Sequence, residues 1–179
     1  MKNILTISIS ALVFTVGILL YAFSEKEQKT AYIELGKIYG DFELKKELQS
    51  KLTNVQQARK TVLDSMRIQL EFFANTLNNV NPKADKSKTE QQVREFEIKK
   101  QQYYQMEKTF SEDNEKLSSE YEEQIWKQLN QYIKDYGKAN DYEYIYGAGG
   151  SGSLMYAKES NDITEKVKEY VNERYQGKK

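Results

Sequence analysis

Asn78-Asn79-Val80-Asn81-Pro82 decides the fold of this chain. Asn and Pro form turns, and Pro82 is the sole proline among 179 residues. On both sides the pattern is helical. Upstream, Leu48, Leu52, Val55, Val62 and Met66 recur at spacings of 4, 3, 7 and 4. Leu70, Phe73, Leu77 and Val80 continue at 4, 3, 4 and 3. This is a heptad-like seam with one added four-residue step between Met66 and Leu70, a stutter that relaxes supercoiling locally. Arg59 is its one polar position. Downstream, Ser87-Lys88-Thr89-Glu90 reads as a capping box. A second seam follows through Val93, Phe96, Tyr103, Phe110, Leu117, Tyr121, Ile125, Leu129, Tyr132 and Tyr136, interrupted by Lys100 and Asn114. It ends near Gly137. Two helices of about 40–50 residues, each roughly 60–75 Å long and joined by a short turn, must run antiparallel. The fold class is therefore α+β, with a coiled-coil-like hairpin arm over residues 41–139 on a small β body formed by 30–40 and 140–175.

The body is read from shorter signals. Thr30 to Leu35 alternates as a strand ended by Gly36, and helix begins at Ile38. Asp141 to Tyr146 alternates again. Gly147 to Ser153 reads as a loop, and Leu154 to Ala157 as a second strand closing a hairpin. Asp162-Ile163-Thr164-Glu165 is an N-cap and capping box, and Ile163, Val167, Tyr170, Val171 and Tyr175 line one face of a final helix. A body of under about 50 residues buries too little apolar surface alone, so oligomerisation is expected. Tyr32, Tyr142, Tyr144, Ile145, Tyr146 and Tyr156 are the candidates for a shared core.

Composition narrows the chemistry. Basic and acidic residues balance at 27 each, against a nucleic-acid binder, which needs a concentrated basic face. The chain has no Cys and no His, which removes thiol nucleophiles, Cys-ligated zinc and the usual Ser–His and Cys–His arrangements. No enzyme activity, metal or cofactor is expected. Gly147-Ala148-Gly149-Gly150-Ser151-Gly152 matches the dinucleotide fingerprint in letters, but no helix follows to receive a pyrophosphate. Glu120, Glu122 and Glu123 lie on a Lys-rich helix and read as a solvated face.

At the N-terminus, Ile4 to Phe23 is a run of 20 residues without a charge, about one hydrocarbon core as a helix. Residues 1–24 form either a signal peptide, with Ala22-Phe23-Ser24 as the cut, or a retained membrane anchor with Tyr21 and Phe23 at the interface. Both place residues 25–179 outside the cytoplasm. Off the seams lie Phe72, Tyr104, Met106 and Trp126, read either as packing neighbours or as a diffuse apolar lining. The candidates for contact with a bound chain are Phe72, Phe73, Leu77, Tyr103, Tyr104 and Met106.

The order of these elements, with Ala31-Tyr32-Ile33-Glu34-Leu35-Gly36-Lys37-Ile38-Tyr39, Tyr144-Ile145-Tyr146, Leu154-Met155-Tyr156-Ala157 and Asp162-Ile163-Thr164, resembles the Skp/OmpH family of periplasmic chaperones. The resemblance covers nearly the whole chain after residue 30. It implies a jellyfish-like homotrimer whose central β bodies carry three arms around an unfolded outer-membrane protein, without ATP. The chain departs from the family's best-known members in being neutral rather than basic. Charge-driven capture and a lipopolysaccharide site are therefore not carried over. A membrane-anchored scaffold binding one folded envelope partner, for example around Trp126, is the alternative.

Overall fold

The computed structural model describes residues 28–79, 86–149 and 154–178. The proposed targeting segment Ile4–Phe23, the turn at Asn81-Pro82 and the loop residues 150–153 lie outside them. Among the described residues, no helix is long and apolar enough to cross a membrane.

Strand β1 spans Thr30–Glu34, and helix α1, Leu35–Asp41, follows directly. Helices α2, Glu43–Asn78, and α3, Lys86–Ala139, form the arm. Strand β2 is Tyr144–Ala148, a 3-10 turn covers Glu159–Asn161, and α4 is Thr164–Tyr175.

The sheet differs from expectation. β2 pairs with β1, in parallel, with Ala31 opposite Ile145 and Ile33 opposite Gly147. Parallel neighbours need a long crossover, and here the whole arm is that crossover. The expected hairpin with Leu154–Ala157 is not formed. Those residues lie in no strand, and Met155 and Tyr156 are exposed. Alternation identified β2 but could not name its partner. Gly147 and Ala148 belong to β2 rather than to the loop.

Asp141 and Tyr142, expected in the strand, instead finish α3. Tyr142 N–H donates to the Gly137 carbonyl at 2.9 Å and Asp141 N–H to that of Lys138 at 3.4 Å, with Asp141 at φ 56°. This is a Schellman ending with Asp where Gly is usual. Tyr142 stacks on Tyr136 at 6.2 Å, the apolar contact that accompanies such an ending.

The first helix is also not continuous from Ile38. It begins earlier, at Leu35, so Gly36 is helical, and it breaks at Phe42 (ψ 123°). The break turns the fully buried Phe42 ring into the core, edge-on to Tyr132 and Tyr175 at 6.3 and 5.9 Å. Gly40 and Asp41, both weak helix formers, precede it. At the tip-side start of α3, Ser87, the expected cap, already stands inside the helix as its second residue.

The core sits where the arm joins the body. Ile38, Leu129, Val167 and Val171 have no exposed surface, and Ala31, Ile33, Leu44, Leu48, Ile125 and Tyr136 close around them. Each fully buried aliphatic side chain contributes about 1.5–3 kcal/mol. Gly137 is buried where β2 passes close: a Cβ there would lie 3.2 Å from Ile145 Cδ1. Ile163, not Asp162, is the N-cap residue of α4; Asp162, one position earlier, accepts the Thr164 N–H at 2.8 Å, while the Thr164 hydroxyl accepts the Glu34 N–H at 2.9 Å. Glu165 does not complete a box. It is held instead by Lys37 at 2.7 Å and Lys168 at 2.5 Å, which keep its carboxyl down at about 2.

Candidate functional site

Along the arm, burial fades from root to tip. Leu44, Leu48 and Leu52 are buried on α2, and Ile125 and Leu129 on α3. Beyond them the seam residues are half-buried, and Val62 and Val93 are exposed. Two helices alone cannot enclose their shared stripe, so apolar surface is left open along most of the arm.

Two polar interruptions expected in the seams meet. Arg59 of α2 donates through one guanidinium nitrogen to Asn114 Oδ1 and through the other to Asp113 at 3.3 Å, with its plane 5.4 Å from the Phe110 ring. This cluster separates the dry root from the open outer arm.

Beyond it lies a groove of about 680 Å³, lined by Met66 from α2 and by Ile98, Gln101, Gln102, Gln105, Met106 and Thr109 from α3. Thioethers and glutamines adapt to many shapes, which suits a surface without one fixed ligand. Along the outer arm Ile68, Phe72 and Tyr104 are more than half exposed, as is Ile98 in the groove wall. The charged residues nearby largely neutralise one another as i,i+3 and i,i+4 pairs: Arg67 with Asp64 and Glu71, Lys99 with Glu95, Lys100 with Glu97, Lys108 with Glu112. The arm thus offers apolar contact without a dominant sign of charge.

The six residues singled out for bound-chain contact fall in two groups. Phe72, Tyr104 and Met106 face solvent. Phe73, Leu77 and Tyr103 are half-buried: Phe73 stacks on Phe96 at 6.3 Å, and the Tyr103 hydroxyl approaches Glu107 at 3.4 Å, burial and that carboxylate together raising its pKa. Ile68 and Ile98 join the exposed group without having been singled out; their place off both seams was the available signal. Trp126 is not part of this surface. It stacks on Tyr39 at 4.7 Å at the arm root, and the Tyr39 hydroxyl donates to Glu122 at 3.0 Å.

A second apolar surface lies on the body. Tyr144 and Tyr146 stack at 6.0 Å and are 53% and 46% exposed, and Met155 and Tyr156 are exposed by more than four-fifths. Tyr32 is half-buried opposite Tyr146, while Tyr142 and Ile145 pack into the chain's own core. Among the described residues, the sheet has only these two strands.

Residues 29–171 match the family described as Outer membrane protein (OmpH-like). The chain belongs to the OmpH-like family. A crystal structure of a protein from Caulobacter crescentus CB15, described as an OmpH-like outer membrane chaperone, has the same fold. Its TM-score is 0.72 at 16% identity, over 84% of this chain and 88% of that one. Among curated proteins, none matches this sequence. The OmpH-like fold accounts for a long helical hairpin carried by so small a sheet.

Proposed function

We propose that this OmpH-like chain is an ATP-independent holdase of the bacterial periplasm, keeping unfolded outer-membrane proteins soluble between helical arms. Membership of the OmpH-like family supports a periplasmic role in chaperoning outer-membrane proteins. The observation that carries the finer reading is the spread of exposed apolar side chains, Ile68, Phe72, Ile98 and Tyr104, along an otherwise charge-paired arm. An unfolded chain held by many weak contacts needs such a distributed surface, and multivalency supplies the affinity that no single contact has. Holding requires no bond chemistry, so the reading is non-enzymatic and needs no cofactor.

The exposed Tyr144, Tyr146 and Tyr156 are the surface through which three copies would join, closing the arms around one cavity. Residues 25–179 act outside the cytoplasm, either freed by cleavage after Ser24 or tethered to the inner membrane by Ile4–Phe23. The scaffold alternative loses its compact patch, because Trp126 is packed against Tyr39.

The test mixes residues 25–179 with a urea-unfolded β-barrel protein, dilutes the urea and follows light scattering. Suppression at one trimer per client is expected. Undiminished aggregation at that ratio would sink the holdase reading.

A further inference from the structure

The break at Phe42 leaves two helix ends that must find partners elsewhere: the last carbonyls of α1 and the first N–H groups of α2. One side chain on α4 meets both. Asn172 Oδ1 accepts the Glu43 N–H at 2.9 Å, and Asn172 Nδ2 approaches the Asp41 carbonyl at 3.4 Å. No side chain of α2's own N-terminus caps it. Its cap comes from a residue 129 positions away.

The neighbouring turns of α4 repeat the connection. Lys168 lies 3.7 Å from the Asp41 carboxylate on the α1 side. On the α2 side, Gln176 donates to Glu43 Oε1 at 2.7 Å and the Tyr175 hydroxyl donates to Glu47. The Phe42 ring, at the pivot, rests on Tyr175. α4 itself is fixed in the core by Val167 and Val171. A rigid element therefore spans both sides of the only interruption in the described helices between β1 and the arm tip.

We propose that α4 is a strap across a hinge at Phe42, and that Asn172 sets the angle at which the arm leaves the body. Extended residues between two helices are where large φ/ψ changes are absorbed in hinged proteins. Without the amide, the α1–α2 junction keeps its ring packing but loses the two directional bonds that select one angle. On the far side, Tyr39 stacked on Trp126 ties α1 to α3 and opposes the motion. The inference concerns arm geometry and stands whether or not the arms hold clients.

The chain has no Cys, so two introduced thiols can be spin-labelled uniquely. Gly36→Cys, at an open position on α1, and Gln69→Cys, exposed on α2, report the α1–α2 angle as a distance. Labelled chains are diluted with unlabelled ones so that distances within one chain dominate. The parent should give one narrow distribution. Asn172→Leu should broaden it by about twofold or more, with helix content and Trp126 emission unchanged. The double change Tyr175→Phe with Gln176→Ala, which removes only surface bonds, should broaden it less. An unchanged width in folded Asn172→Leu overturns the proposal. If Asn172→Leu loses helix content, the double variant decides: a broadened distribution supports the strap, and one as narrow as the parent's overturns it.

Discussion

Arg59 on α2 donates to the Asn114 side-chain oxygen on α3, joining two of the three polar interruptions of the arm's apolar seams. The Arg59 side chain is only 22% exposed, so its hydrogen bonds are not freely replaced by water. Asn114→Leu alone should lower stability by about 1–2 kcal/mol, because it strips a partly buried guanidinium of a partner. Arg59→Leu together with Asn114→Leu should recover that loss or exceed it, since matched apolar residues are often at least as stable as a buried polar pair. Thermal unfolding followed by circular dichroism compares the two. A double variant no more stable than the single one would contradict the coupling.

Phe72 and Phe73 are adjacent in sequence and opposite in placement. Phe72 is 73% exposed, and Phe73 stacks on Phe96. Phe73→Ala should therefore destabilise the arm by about 1–2 kcal/mol. Phe72→Ser should leave unfolding stability within about 0.5 kcal/mol of the parent and weaken suppression of client aggregation. Equal loss of stability in both would place Phe72 in the seam after all.

The arm was legible because helical spacing repeats over many turns. Spacing alone picks out Leu48, Leu52, Ile125 and Leu129, which are buried, and Arg59 and Asn114, which interrupt the same seams and meet. The body was less legible because its organising contacts are distant. Nothing near Tyr144 says that Thr30 is its partner, and alternation alone points to the closer segment Leu154–Ala157. Phe42 reads as one more apolar helical residue, and its break depends on Tyr132, Tyr175 and Asn172, all far along the chain. For the candidate surface, spacing separated Phe72, Tyr104 and Met106 from the seams, but it also swept in Trp126, which Tyr39 covers.

Asp141 holds the left-handed position at the end of α3, where a side chain is strained and glycine is not. Asp141→Gly should raise stability by about 0.5–1 kcal/mol. Gly177 fills the equivalent position after α4 with φ 77°, its N–H donating to the Arg174 carbonyl and that of Lys178 to Glu173. Gly177→Ala should shift stability in the opposite direction, by about 1 kcal/mol. Chemical denaturation of both variants gives the two signs. Shifts of the same sign would dismiss the backbone explanation.

Glu165 carries a pH signature. Hydrogen bonds from Lys168 and Lys37 hold its carboxyl at about 2, below the ordinary 4.5. Because the folded value is the lower one, its stabilisation is complete above about 4.5 and disappears as the pH falls through about 2. Glu165→Gln should thus melt below the parent at neutral pH, with the gap closing across that window. The side chain is mostly exposed, so the effect should also shrink in high salt. A gap constant from neutral pH to pH 2 would exclude the carboxylate as its source.

Because the arm is the connection between two parallel strands, the order in which the chain folds is constrained. In the unfolded chain, Ala31 and Ile145 are separated by the entire arm, and joining them first would close a very long loop. Once α2 and α3 have zipped together, Phe42 and Tyr132 at the arm root are already near each other, and a shorter loop remains to be closed by the sheet. The body is therefore expected to form after the arm. Changes at Leu48 or Leu129 should slow the appearance of the sheet, although both residues lie outside the two strands.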